Sequence, residues 1–257
     1  MSKMEIDFTG KVVIVTGASS GIGAETAKMF ADYNAKLTIV GRNQRKLAET
    51  ADECKRRSGH SPLSLLLDLT AEGTCETIIR KTVETFNRLD VLVNCAGKVV
   101  LSSFHDQSMA AFDELMNLNL RVPFFLTTLA VPHLQQTKGN IINVGSANSQ
   151  RFRRGFLPYI VSKSGLERFT KSAAPELALS GIRINTVSPG TTRTNIFRNL
   201  NITEDQPEMY NSLVKYMPQG VIIHPKEVAT VICWTASDLF PNVIGSNFMI
   251  DGASCMS

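Results

Sequence analysis

The residues best suited to chemistry are a tyrosine and a lysine four positions apart. Tyr159-Ile160-Val161-Ser162-Lys163 puts a phenol and an ammonium on one face of the helix expected there. A phenol with a pKa of about 10 is a poor base at neutral pH, but a close cation favours the phenolate. Lys163 would supply that cation, so the expectation is a phenol tuned downward. Thirteen residues upstream, Ser146 follows an apolar run and is placed to hold and polarise a carbonyl oxygen near the phenol. Tyr159 would then give a proton to a ketone or take one from an alcohol. Singly, these residues have plainer readings: Tyr159 as a helix-surface aromatic, and Lys163 as a surface partner of Glu167.

Reduction of a ketone also needs a hydride, and a second motif is shaped to hold its carrier. Thr16-Gly17-Ala18-Ser19-Ser20-Gly21-Ile22-Gly23 lies between an apolar run and a helical pattern. Glycines there allow a tight turn and a close backbone approach, while unpaired N–H groups at the helix start face an anion. The spacing is G-x-x-x-G-x-G rather than the commoner G-x-G-x-x-G of dinucleotide sites. Gly17, Ser19, Ser20, Gly21, Ile22 and Gly23 are therefore the candidate phosphate contacts. After the second apolar run the chain reads Val40-Gly41-Arg42-Asn43, with no carboxylate to take a ribose 2′-hydroxyl. Arg42, followed by Asn43, offers donors to a 2′-phosphate, which favours NADP(H) with NAD(H) as the alternative. An exposed arginine opening the next helix is the plainer reading of Arg42.

These groups must be positioned by regular elements. Short Val/Ile/Leu-rich runs predict seven strands, at Val12 to Thr16, Leu37 to Val40, Leu63 to Leu67, Val91 to Asn94, Ile141 to Val144, Ile182 to Val187 and Asn247 to Ile250. Helical patterns lie between them, at Ile22 to Tyr33, Gln44 to Arg57, Thr74 to Asn87, Met109 to Leu134, Tyr159 to Ser180 and Lys226 to Ser237. Continuously apolar strands joined by helical crossovers predict an α/β fold: a Rossmann-like, doubly wound sheet of seven mainly parallel strands with helices on both faces. Ligands of such sheets bind outside the carboxyl ends of the strands, where Gly17, Arg42, Asp68, Asn94, Ser146 and Pro189 all fall. No strand is expected across 191–224, where Ile196, Phe197, Leu200, Met209, Tyr210, Leu213, Val214, Tyr216 and Met217 are scattered among polar residues. A segment that long suggests a substrate flap, with Pro207 able to open a short helix within it.

The chain has 257 residues, 43% hydrophobic and 19% charged, which excludes disorder, collagen and coiled coil. No linker divides it, so a single domain over 1–257 is expected. A net charge of +4 without a long basic block argues against nucleic acid as a partner. Cys54, Cys75, Cys95, Cys233 and Cys255 are odd in number and lack a CxxC pair, so reduced thiols are expected, with neither disulfides nor zinc. His60, His105, His133 and His224 are dispersed and offer no metal-ligand spacing. The N-terminal stretch has no signal h-region and no run suits a membrane span, so a cytoplasmic location is expected.

Thr16 to Gly23, Asn94-Cys95-Ala96-Gly97, Asn119, Ser146, Tyr159 to Lys163 and Ser188-Pro189-Gly190 together resemble the short-chain dehydrogenase/reductase family over nearly the whole chain. The resemblance implies a catalytic tetrad of Asn119, Ser146, Tyr159 and Lys163, with Asn119 holding a water in a proton relay through Lys163 and Asn117 as its competing neighbour. It further implies that Asp68 and Leu69 meet the adenine, that Asn94, Ala96 and Gly97 serve the cofactor and the sheet, and that Pro189, Gly190 and Thr194 lie on the nicotinamide side. Lys163 would also bond the nicotinamide ribose, and the assembly would be a homodimer or homotetramer. Three departures from the usual pattern stand out: Cys95 for a common Asn, Pro175 inside the helix after Tyr159, and Asp251-Gly252-Ala253 for a frequent Asp-Gly-Gly. Pro175 predicts a kink near the last turns of that helix.

The apolar content of the flap favours a ketone or secondary alcohol with an apolar body, such as a steroid, an isoprenoid or a fatty acyl derivative. Arg151, Arg153 and Arg154 lie between Ser146 and Tyr159, either as a solvated loop or as a patch for an acidic carrier or anionic substrate. The competing readings are an NAD-dependent alcohol dehydrogenase of the same family, a 3-oxoacyl carrier reductase, and a non-catalytic NADPH-binding sensor.

Overall fold

A computed structural model describes residues 6–102, 105, 109–151, 153–196, 213–214 and 217–255. Seven strands, β1 (Val12–Thr16), β2 (Lys36–Gly41), β3 (Leu63–Leu66), β4 (Val91–Asn94), β5 (Asn140–Val144), β6 (Arg183–Pro189) and β7 (Asn247–Ile250), form one sheet in the order 3-2-1-4-5-6-7. Every pairing is parallel, as the continuously apolar strands require. The order reverses between β1 and β4, which opens a crevice above their carboxyl ends.

Alternation along the strands feeds two cores. Val13 and Val15 of β1 and Val91 and Val93 of β4 face helices α1 (Gly21–Asp32), α2 (Gln44–Ser58) and α7 (Pro225–Ala236). Ile14 and Leu92, one residue out of phase, face α3 (Thr74–Phe86), α5 (Val122–Thr137) and α6 (Leu157–Ala178). Ile14 and Leu92 are fully buried, each stabilising the layer by about 1.5–3 kcal/mol. His224 caps α7, its Nδ1 accepting from Lys226 N at 3.1 Å while Glu227 accepts from His224 N at 2.8 Å.

The helix expected over Met109 to Leu134 is three pieces: α4 (Ala110–Met116), a π-helical segment Asn117–Arg121, and α5. Pro123 supplies the reason, because its ring crowds the carbonyl four residues back, and a wider turn relieves the clash. The N–H of Val122 accordingly reaches the carbonyl of Asn117. Pro175 does not end α6, which continues to Ala178. Of the expected flap, Phe197, Leu200, Pro207, Met209, Tyr210 and Tyr216 lie outside the described residues. The described flanks touch through an isolated bridge between Thr192 and Ile223. Among the described residues no helix is long and apolar enough to cross a membrane.

Candidate active site

The turn from β1 into α1 is built on glycine where a side chain cannot fit. Gly17 and Gly21 have φ of +70° and +55°, and a Cβ on Gly17 would lie 2.9 Å from Ala96 Cα. A Cβ on Gly23 would lie 2.4 Å from the Gly17 carbonyl oxygen, so α1 packs directly on the turn. Ser20 stands at the N-cap of α1 without a side-chain capping bond, and the first turn carries no acid. The positive end of the helix dipole therefore opens onto the crevice.

At the ends of β2 and β3, Arg42 and Asp68 approach one another, Nη1 to Oδ2 at 3.3 Å, with side chains 53% and 44% exposed. Asp68 also accepts from Thr70 N at 3.0 Å and Thr70 Oγ1 at 2.7 Å. These Thr70 bonds, chiefly the backbone one, and then Arg42 hold its carboxyl below the usual range. Asn43 is occupied as the cap of α2, its Oδ1 accepting from Lys46 N at 3.0 Å.

The loop after β4 is pinned to β1, with Cys95 N and Ala96 N both donating to Thr16 Oγ1, at 3.0 and 3.1 Å. Asn94, expected to serve the cofactor and the sheet, is buried under the crevice and donates to Asn143 Oδ1 at 2.8 Å; its side chain serves the sheet and does not line the cleft. Asn119 is likewise fully buried and behind the wall. Its Oδ1 accepts from Lys98 N at 3.0 Å, and its Nδ2 donates to Lys98 O at 3.0 Å and Ser162 Oγ at 3.1 Å. It ties the β4 loop to α6, and the π-helical turn gives it that reach. A Cβ on Gly97 would stand 3.4 Å from both Asn119 Oδ1 and Lys163 Nζ, so these two groups flank Gly97.

Ser146 follows β5 and caps the 3-10 turn Ala147–Gln150, its Oγ accepting from Asn148 N at 3.2 Å. Tyr159 and Lys163, in the first two turns of α6, are 5% and 3% exposed. Lys163 Nζ donates to the Val144 carbonyl at 2.7 Å. Burial lowers its pKa to about 8, against an opposing influence of Cys95. Burial also pushes the Tyr159 phenol upward, and a hydrogen bond from the Ser146 hydroxyl acts the other way. The phenol is thus shifted upward where a downward shift was expected, because desolvation outweighs the Ser146 hydrogen bond. Glu167 is not a partner of Lys163 either: its carboxylate accepts from Lys171, Ser149 and Gln150.

These elements enclose a cleft of about 620 Å³. Of the expected residues, Gly17, Ser19, Ser20, Gly21, Ile22, Gly23, Arg42, Asn43, Asp68, Leu69, Ala96, Gly97, Ser146, Tyr159, Lys163, Pro189, Gly190 and Thr194 line it. Ile196 of the expected flap lines it too, while Lys98, Val99, Leu118, Asn148 and Thr192 also line it and were missed. They sit on strand-end loops and on the π-helical segment, and the strand-end rule marks loops without naming their inward residues. The three arginines separate. Arg153 lines the cleft and stacks on Phe156, its Cζ 4.5 Å from the ring centre. Arg154 is exposed, and Arg151 turns away to Asn148 and Ser254. Among the described residues no group of three or more His, Cys, Asp and Glu is placed to hold a metal ion.

Residues 11–205 match the family model described as short chain dehydrogenase. An uncharacterized oxidoreductase of Thermotoga maritima is 35% identical over 97% of this chain and 99% of its own. The L-fucose dehydrogenase of Bos taurus is 32% identical over 90% of this chain and 84% of its own. A short-chain dehydrogenase/reductase of unknown function from Caenorhabditis elegans, solved with cofactor, superposes with a TM-score of 0.91 at 33% identity, covering 97% of this chain and 96% of that one. The chain is an oxidoreductase and belongs to the short-chain dehydrogenase/reductase family.

Proposed function

We propose that the chain transfers hydride between NADP(H) and a ketone or secondary alcohol with an apolar body. The observation that carries the chemistry is that the buried Tyr159 and Lys163 line one cleft with Ser146 and with the glycine turn. The cleft fits a nicotinamide dinucleotide: glycines that admit no Cβ, an uncapped helix start, and Arg42 where a 2′-phosphate would fall. The cofactor would supply the hydride that no side chain can. Tyr159 gives or takes the proton, Ser146 holds the substrate oxygen, and Lys163 holds the nicotinamide ribose. Asn119 supports Lys163 from behind Gly97. Leu69 and Asp68 receive the adenine, and Pro189, Gly190 and Thr194 the nicotinamide side. The assembly would be a homodimer or homotetramer, and the location cytoplasmic.

An apolar substrate body is supported by a third hydrophobic cluster around the phenol, which presents Val99, Tyr159 and Ile196 to the cleft and backs them with Leu115, Phe156, Leu213 and Ile222. That wall differs in kind from what a sugar such as fucose would need. Arg153, on the same wall, favours a second reading in which the apolar body carries an acid.

A panel of ketones and alcohols, assayed with NADPH, NADH and their oxidised forms, tests the proposal. Tyr159→Phe should keep NADPH binding and lose about 100-fold or more in turnover. Equal turnover in the variant would end the assignment, and cofactor binding without turnover of any panel member would favour a sensor.

A further inference from the structure

The Ser146 hydroxyl stands on a turn that the end of the chain holds in place. Arg151, the residue after that turn, donates from Nε to Asn148 Oδ1 at 3.1 Å and from Nη1 to Ser254 O at 2.5 Å. Asn148 N in turn donates to Ser146 Oγ at 3.2 Å. A second tie runs alongside, from Cys255 Sγ to Ala147 O at 3.0 Å. The segment that supplies both is wound around Asp251, whose carboxylate accepts from Ala253 N at 3.1 Å and Cys255 N at 2.8 Å. Its other flank touches the end of the flap: a Cβ on Gly252 would meet Gln219 Oε1 at 3.3 Å and the buried Met217 at 3.4 Å.

We propose that Arg151 is a positioning residue for Ser146, through which the seating of the C-terminal turn sets the orientation of that hydroxyl. The inference rests on the assignment of Ser146 and Tyr159 as the reacting pair. Both acceptors of Arg151 are uncharged, so its use here is geometric. A planar guanidinium bonds two acceptors in fixed directions, which an ammonium cannot do. From the opposite side Glu167 grips the same turn through Ser149 Oγ at 3.0 Å and Gln150 Nε2 at 2.7 Å. With the Arg151 tie cut, the turn is held by α6 and by the single Cys255 bond to Ala147 O, neither of which fixes Asn148, and Asn148 N is free to draw away from Ser146. Displacements of about 1 Å at a reacting group are enough to cost as much as 100-fold in rate.

The test compares the parent with Arg151→Met, which keeps the aliphatic stem and removes both donors. Tyr159 is followed without substrate by tyrosinate absorbance, as the difference from the same protein carrying Tyr159→Phe. Arg151→Met should move that titration to higher pH, because the Ser146 bond that favours the phenolate is weakened. It should also lower kcat roughly tenfold, while KM for NADPH stays within about twofold. Arg151→Lys, which keeps a cation but loses the planar fork, should lie between. An unchanged titration and kcat would overturn the proposal, as would a fall in kcat matched by an equal loss of NADPH affinity, which signals general loosening. Should Arg151→Met fail to fold, Asn148→Ala leaves the C-terminal turn seated and must show the same displacement; its absence overturns the proposal equally. If the parent turns over no substrate, the functional reading fails, and the phenol titration still decides the role of Arg151.

Discussion

Removal of the Arg42 guanidinium should convert the cofactor preference, and the structure sets the size of the effect. A charge-assisted hydrogen bond to a phosphate contributes about 1.5–3 kcal/mol, or roughly 10- to 100-fold in affinity. Arg42 is not idle before the cofactor arrives, since its Nη1 lies 3.3 Å from Asp68 Oδ2. Both side chains are about half exposed, so that pair is worth at most about 1 kcal/mol and yields readily to a dianionic phosphate. The net preference for NADPH over NADH should therefore fall about 10- to 30-fold in Arg42→Ala, nearly all of it as weaker NADPH binding. Asp68 makes the converse prediction, because its carboxylate would share Arg42 with a 2′-phosphate and repel it. Asp68→Asn should strengthen NADPH binding by a fewfold while weakening the Thr70 turn it caps. Quenching of intrinsic fluorescence by each cofactor, repeated at low and high salt, measures the effect apart from turnover, and the NADPH difference should shrink as salt rises. Parity of the two cofactors in the parent, or an unchanged ratio in Arg42→Ala, would refute the reasoning.

Lys163 carries a stability cost that can be measured. Its folded pKa of about 8 lies below the ordinary lysine value of 10.5, so the unfolded chain binds the extra proton between those limits and stability should rise with pH across them, by up to about 3 kcal/mol. Lys163→Met should abolish that rise and, after about 1 kcal/mol for the orphaned Val144 carbonyl, be more stable at neutral pH by about 1–2 kcal/mol while inactive; chemical denaturation at several pH values checks both. Ala253 has φ +62°, a conformation that suits glycine, so Ala253→Gly should raise Tm by about 2–4 °C, and a fall would show that the C-terminal turn needs the methyl group. Gly23→Ala drives a Cβ to 2.4 Å from the Gly17 oxygen, and since backbone must give way, NADPH affinity should drop at least about tenfold in the same titration; retained affinity would mean the turn does not hold the pyrophosphate.

What was legible in the sequence was what local pattern determines. The glycine turn, Arg42, Ser146, Tyr159 and Lys163 each sit where an apolar run ends or a helical period begins, and all of them line one cleft. Asn94 was legible only in part, for a reason of the same kind. A polar residue ending a strand points up or down according to the pleat, and here the pleat sends it to Asn143. Asn119 was readable only by resemblance, since apolar spacing over 109–134 continues through the π-helical turn as though nothing happened. Pro123 was the available signal, its clash falling on the carbonyl of Asn119. The three arginines near residue 151 have one type and three fates, decided by a turn geometry that residue spacing does not encode.

The direction of the phenol shift shows most clearly what spacing alone omits. A lysine four residues away was visible, but the solvent removed from both groups was not, and burial moves the two pKa values apart: the phenol upward, the ammonium down to about 8. Near pH 7 the pair therefore stands as neutral phenol and charged amine, the state that can donate a proton to a ketone. Oxidation of an alcohol needs the phenolate and must draw on whatever stabilises it, first the Ser146 hydroxyl and then any positive charge that develops in the cleft. A scaffold that buries Tyr159 this deeply holds the phenol in its neutral form at neutral pH, the form that the proposed reduction of a ketone would draw on. The Ser146 turn, gripped by Glu167 on one side and by Arg151 on the other, is where the proposed positioning of that hydroxyl would act on the phenol.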